Sequence, residues 1–144
     1  MSQQTRQLTA IVIDDDINTG LFLNDLLEYH NIQVLAKGRD GEEAVSLYKQ
    51  FRPDVILIDV MMKNYDGLYA LEHIKSYDPN ATIIMHSVDY TADIENKLES
   101  LNPTTIINKP TSTDALLNPI SDLLKNKNMP QPNLMMQKTV VSAL

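Results

Sequence analysis

PDVILIDVMM, residues 53–62, is the stretch on which the architecture turns. Pro53 ends any helix before it, because its ring locks φ and leaves no amide proton for the ladder. Val55 to Ile58 is then an unbroken apolar run rich in β-branched residues, and it stops at Asp59. A strand without polar alternation is covered on both faces, the habit of a parallel sheet between two helical layers. An acid at its carboxyl end sits where such sheets bind their ligands.

The same unit recurs on both sides. Leu8 to Ile13 is a second apolar run, ending in Asp14, Asp15 and Asp16, and Phe22, Leu23, Leu26, Leu27 and His30 then recur at helical spacing over about Thr19 to Asn31. Ile32 to Ala36 reads as a strand. Asp40 and Glu43 form a capping box that opens a helix through Ala44, Val45, Tyr48 and Phe51. Beyond Asp59, Leu68, Leu71 and Ile74 mark a helix closed by Asp78-Pro79-Asn80, and Thr82 to His86 a strand ending at Ser87. Ile94, Leu98 and Leu101 carry the next helix, and Thr104 to Asn108 a strand ending at Lys109-Pro110. Ser112 to Lys125 is the last helix, which Pro119 should bend. Strand and helix alternating in this way predict a doubly wound α/β fold, five parallel strands with helices on both faces.

Composition narrows the function. The 144 residues are 43% hydrophobic and 22% charged, an ordinary globular balance. With no Cys there is no disulfide framework, thiolate metal site or thiol nucleophile, which fits a cytoplasmic location. A net charge of −7 works against binding nucleic acid. The apolar runs are too short to span a membrane, and Met1 to Thr9 lacks the apolar stretch of a secretory leader.

Chemistry collects at the strand ends. Asp14, Asp15, Asp59, Ser87 and Lys109 are far apart in sequence, yet the predicted sheet brings them to one edge. Singly, each reads as a helix cap, a turn residue or a solvated charge. Together, three carboxylates repel unless one is protonated or a divalent cation sits among them, and hard oxygen donors suit Mg²⁺. A hydroxyl and an ammonium opposite that cation complete a cradle for a phosphoryl group.

These motifs, VIDDD at the first strand, PDVILIDVMM around Asp59, YDG at 65–67, IIMHS ending at Ser87 and the Lys109-Pro110 pair, resemble the receiver domain of two-component response regulators, single-domain and chemotaxis-regulator-like. The resemblance implies a flavodoxin-like (βα)5 fold with strand order 2-1-3-4-5. It also implies Asp59 as phosphoacceptor, with Asp14, Asp15, Asp59 and the Met61 carbonyl holding Mg²⁺, Ser87 as the switch hydroxyl and Lys109 as the site ammonium. Its expected partners are a sensor histidine kinase or phosphotransfer protein and a downstream protein target. A homodimer dependent on phosphorylation or on the tail is compatible with it. The domain runs from 8 to 125, after an extension of residues 1–7, and nothing else in the chain suggests a DNA-binding output.

Several positions depart from the family pattern. Lys63 stands where proline is common, Val88 where a small residue follows the switch hydroxyl, Ile106 where an aromatic is usual, and Asn102-Pro103 in place of Gly-Ala. Val88 should narrow access to Asp59, and Ile106 should weaken the outward signal. Tyr29, Tyr48 and Tyr69 read as packing, Met62 as filler, and His30, His73 and His86 as ordinary residues without metal-ligand spacing. Residues 126–144 form a polar linker with Pro130 and Pro132, then an apolar tail, Leu134 to Leu144, expected to act as a contact element. Two other functions compete. A phosphatase of the haloacid dehalogenase type would use Asp14 and Asp16 as its acidic pair, with Ser87 and Lys109, but leaves Asp59 without a role. A receiver-fold adaptor that is never phosphorylated would not need these groups.

Overall fold

The computed structural model describes residues 7–63, 66–87, 91–108 and 113–126. The strands are β1 (Thr9–Ile13), β2 (Gln33–Gly38), β3 (Val55–Asp59), β4 (Ile83–Ser87) and β5 (Thr105–Asn108). The helices are α1 (Ile17–Tyr29), α2 (Gly41–Phe51), α3 (Gly67–Tyr77), α4 (Ala92–Leu101) and α5 (Thr113–Asn126). The strands form one sheet in the order β2-β1-β3-β4-β5, and every pairing is parallel. The predicted architecture and strand order are both present.

Local chemistry explains most element ends. The Asp16 carboxylate accepts from the Asn18 amide at 3.0 Å, so α1 opens at Ile17, earlier than the apolar stripe implied. Asp40 caps α2 through the Glu43 amide at 2.8 Å, and the Glu43 carboxylate reaches back to the Arg39 amide at 2.6 Å. Arg52 then turns left-handed at φ 46° before Pro53. Asn31, at φ 66°, reverses the chain after α1, and the Ile32 amide returns to the Leu27 carbonyl at 2.9 Å, so Ile32 is a buried turn residue and β2 begins one residue later. β2 also extends to Gly38, because Lys37 and Gly38 pair with Val12 and Ile13. Pro119 lies inside α5 without ending it, and Leu116, Leu117 and Ile120 around it are buried.

Side chains alternate across each strand, so the sheet has two cores. On one face Ile11, Ile13, Ile56, Ile58, Ile83 and Met85 pack against α2, α3 and α4. On the other Ala10, Val12, Val55, Leu57 and Ile84 meet Leu23, Leu26 and Leu27 of α1 and Leu116, Leu117 and Ile120 of α5. Two aromatics of the predicted stripes fall outside these cores. Phe22 and Phe51 are exposed, because Gly20, Leu23, Leu26 and Leu27 fill the inward arc of α1 and Ala44 and Tyr48 that of α2. Tyr29 is exposed as well, though its ring meets His30 edge-on at 5.2 Å. Tyr48 packs as expected. Its hydroxyl donates to Asp78 at 2.7 Å, and its ring meets Tyr77 edge-on at 6.4 Å.

Candidate functional site

Register assembles the site. Ile13 pairs with Ile58 and Asp59 with His86, so Asp14, Asp59 and His86 stand in one row across the ends of β1, β3 and β4. By parity they continue the columns of Val12, Leu57 and Ile84, on the sheet face covered by α1 and α5. All three are buried, at 3%, 6% and 2% exposure, so their electrostatics are weakly screened by water. One side-chain ligand atom from each lies within 4.8 Å of the other two, and His86 Nδ1 is 4.0 Å from Asp14 Oδ2.

Backbone contacts hold the row in place. The Asp14 amide donates to the Gly38 carbonyl at 3.0 Å, and Asp14 Oδ1 accepts from the Asp16 amide at 2.9 Å. The Val60 amide donates to the His86 carbonyl at 2.9 Å, tying the end of β3 to β4. Gly67 then brings α3 against the same strand end, its amide 3.0 Å from the Val60 carbonyl. The Met61 amide points back to Asp59 Oδ1 at 3.4 Å, while the Met61 side chain is exposed. Beside Asp14 a cleft opens between α1 and β2, lined by Ile17, Gly20, Leu21, Lys37 and Arg39. Ile17 and Leu21 are 60% and 46% exposed, an apolar lip next to the acids.

Of the residues assigned from sequence, Asp14 and Asp59 are brought together, Asp15 follows them half-buried, and Met61 lies two residues beyond Asp59. Ser87 closes β4 opposite Asn108, but its side chain, Lys109, Val88, Tyr65 and the tail lie outside the described residues. Asp16 caps α1 through the Asn18 amide and the Thr19 hydroxyl, each at 3.0 Å, a role unlike that of the second acid in a dehalogenase-type pair. His86 is the correction. It reads as an ordinary strand residue in sequence, yet it joins the acidic row. The signal was parity: His86 is the lone ionisable side chain of IIMHS and has the same face as Asp59 once the two strands are aligned.

A 2-1-3-4-5 parallel sheet with an acidic row at its carboxyl edge defines a flavodoxin-like α/β domain whose ligand edge is acidic. Comparison with known proteins agrees: residues 10–121 match the response regulator receiver domain, and the chain belongs to that family. It is 30% identical over 115 residues to Protein CcdB of Bacillus subtilis (strain 168), covering 80% of this chain and 96% of that protein. It is 35% identical over 77 residues to the chemotaxis protein CheY of the same organism, covering 54% of this chain and 64% of that protein. Among solved structures it resembles the CheX-CheY-BeF3-Mg+2 complex from Borrelia burgdorferi, with TM-score 0.75, 25% identity and coverage of 81% of this chain and 89% of that one. A CheY-like receiver domain protein from Methanospirillum hungatei JF-1 has TM-score 0.79 at 18% identity, covering 85% and 98%, a likeness of fold. Receiver domains are signalling domains. Among the described residues no helix is long and apolar enough to cross a membrane.

Proposed function

We propose that Asp59 accepts a phosphoryl group from a histidine kinase or phosphotransfer protein and that the charge placed there is read by a downstream protein. The observation that carries this is the pair of buried carboxylates, Asp14 and Asp59, on the ends of neighbouring strands. Two acids so placed repel in weakly screened surroundings, and a divalent cation relieves that repulsion, so the donor set fits Mg²⁺. Asp14, Asp15, Asp59 and the Met61 carbonyl would hold it, where it would neutralise charge on the phosphoryl oxygens. An Asp59 oxygen attacks phosphorus, the P–N bond to the donor imidazole breaks, and that imidazole leaves with the bond's electron pair. The β3 end and the abutting α3 hold the Asp59 carboxylate in position. Ser87 would donate a hydrogen bond to the new acyl phosphate, and Lys109 would pair with its charge.

The signal then leaves by protein contact from a cytoplasmic receiver spanning residues 8–125, with the apolar tail as an added contact element. The test is intact mass after incubation with a small phosphodonor and Mg²⁺. Wild type gains one phosphoryl group, Asp59→Asn gains none, and Asp15→Ala needs more Mg²⁺ for the same labelling. Full labelling of Asp59→Asn would overturn the assignment.

A further inference from the structure

We infer that His86 can add an imidazole nitrogen to the cation site, so that besides Mg²⁺ the site takes a borderline transition ion of the Zn²⁺ or Co²⁺ type, with His86 as a ligand. The inference rests on the phosphoacceptor reading of the same acids and goes beyond it.

β4 reads Ile83, Ile84, Met85, His86 and Ser87, and its first three residues are fully buried and apolar. An aliphatic side chain at 86 would continue the column of Ile84 without bringing a polar group into the interior, where burial is unfavourable unless a partner compensates. The imidazole is instead 2% exposed and directed at the acids, with Nδ1 4.0 Å from Asp14 Oδ2 although a whole strand separates β1 from β4. Asp59 stands between them in the same row.

Bonds of about 2.0–2.2 Å arranged tetrahedrally around a zinc-type ion place two ligand atoms about 3.3–3.6 Å apart. The Asp14–His86 separation of 4.0 Å exceeds that by about half an ångström. The widest separation in the group, 4.8 Å at most, must close by about 1.2–1.5 Å, so the three side chains have to draw in around the ion. Two carboxylates and an imidazole suit Zn²⁺, Co²⁺ or Ni²⁺, whereas Mg²⁺ keeps oxygen donors and retained water. Any site of nitrogen and oxygen donors binds a later divalent ion more tightly than Mg²⁺, so a bare affinity ratio decides nothing. The informative quantity is how much of that preference is lost with the imidazole.

The test uses the untagged full chain and Co²⁺ as probe, with Zn²⁺ in competition. Wild type bound to Co²⁺ should show a paramagnetically shifted imidazole N–H resonance, and His86→Gln and His86→Leu should lack it. Co²⁺ and Zn²⁺ should bind either variant about tenfold or more weakly, the loss that even outer-shell partners of a metal produce, while Mg²⁺ affinity changes less than threefold. Carrying His73→Gln through every sample removes the exposed imidazole on α3 as a competing ligand. A shifted resonance that persists in the variants, or equal Co²⁺ affinity in all three proteins, overturns the inference. The wild-type resonance requires no variant, so its absence at saturating Co²⁺ overturns the inference even where the variants fail to fold. Mg²⁺-dependent labelling of Asp59 in wild type is read separately. Labelling without His86-dependent Co²⁺ binding removes the inference alone, and loss of labelling removes the phosphoacceptor reading.

Discussion

Replacing Gly67 by Ala should loosen the fold and displace Asp59 in one step. Gly67 opens α3 without a positive φ, so space rather than backbone conformation demands glycine there. A methyl on its Cα runs into the Asp59 carbonyl oxygen and lies 2.8 Å from Val60 Cα and 2.9 Å from Met85 Cε. Two of these three are backbone atoms of the strand end that carries Asp59, and they cannot rotate aside as a side-chain tip can. Carbon atoms prefer about 3.5–4.0 Å, so α3 must recede by roughly an ångström. Overpacking of this kind costs about 1–3 kcal/mol, and backbone opposition puts Gly67→Ala near the top of that range. Helix propensity acts the other way, but Ala gains at most about 1 kcal/mol over Gly. The net loss is about 2 kcal/mol, which with a urea slope of ~1–3 kcal/mol/M moves the midpoint down by about 1 M. Gly20 is the internal control: nothing lies within 4 Å of a methyl built on it, so Gly20→Ala feels propensity alone and should gain up to about 1 kcal/mol. Labelling of Asp59 in folded Gly67→Ala should slow by up to about 10²-fold, the effect of a 1 Å misplacement. Urea midpoints and labelling rates at matched Mg²⁺ measure both effects. A Gly67→Ala protein with the wild-type midpoint and rate, or a Gly20→Ala protein that loses as much as Gly67→Ala, would refute the steric argument.

Three further outcomes are expected. Burial and the hydrogen bond to Asp78 raise the Tyr48 phenol above its ordinary ionisation range, so its stabilising effect is intact below pH about 10 and declines as pH rises through the higher folded value, where the unfolded chain has already released the proton. In a spectroscopic titration of the six tyrosines, Tyr48 should therefore ionise late; Tyr48→Phe should remove that late fraction and cost about 1–2 kcal/mol in urea, and an unchanged titration would count against it. Leu21→Asp, on the exposed lip beside Asp14, should slow transfer from a protein phosphodonor about tenfold while leaving a small donor unaffected, and equal slowing of both would place the lip in the chemistry rather than in docking. Ile106, partly buried against the α3 and α4 core, has a stiff side chain smaller than an aromatic ring, so Ile106→Tyr should enlarge the phosphorylation-dependent hydrogen-exchange difference in α4 and α5; an unchanged difference would route the signal elsewhere.

The apolar run at Val55 to Ile58 and its recurrence along the chain determined the layers of this protein, because a strand covered on both faces leaves no polar alternation to misread. Caps were legible for a similar reason: Asp40 with Glu43 acts over three residues, and such local chemistry survives any tertiary context. Asp14 and Asp59 were legible because strand-end acids need only the order of the elements to be placed on one edge. Phe22 and Phe51 were misplaced, since periodicity alone marks a stripe wider than the arc that Leu23, Leu27 and Tyr48 fill. His86 was missed, and only tertiary structure placed it. Its spacing from Asp14 and Asp59 carries no pattern, and its place in their row depends on how β4 aligns with β3 and β3 with β1. That alignment is set by hydrogen bonds between strands distant in sequence, and a slip of one residue would turn the imidazole to the opposite face of the sheet.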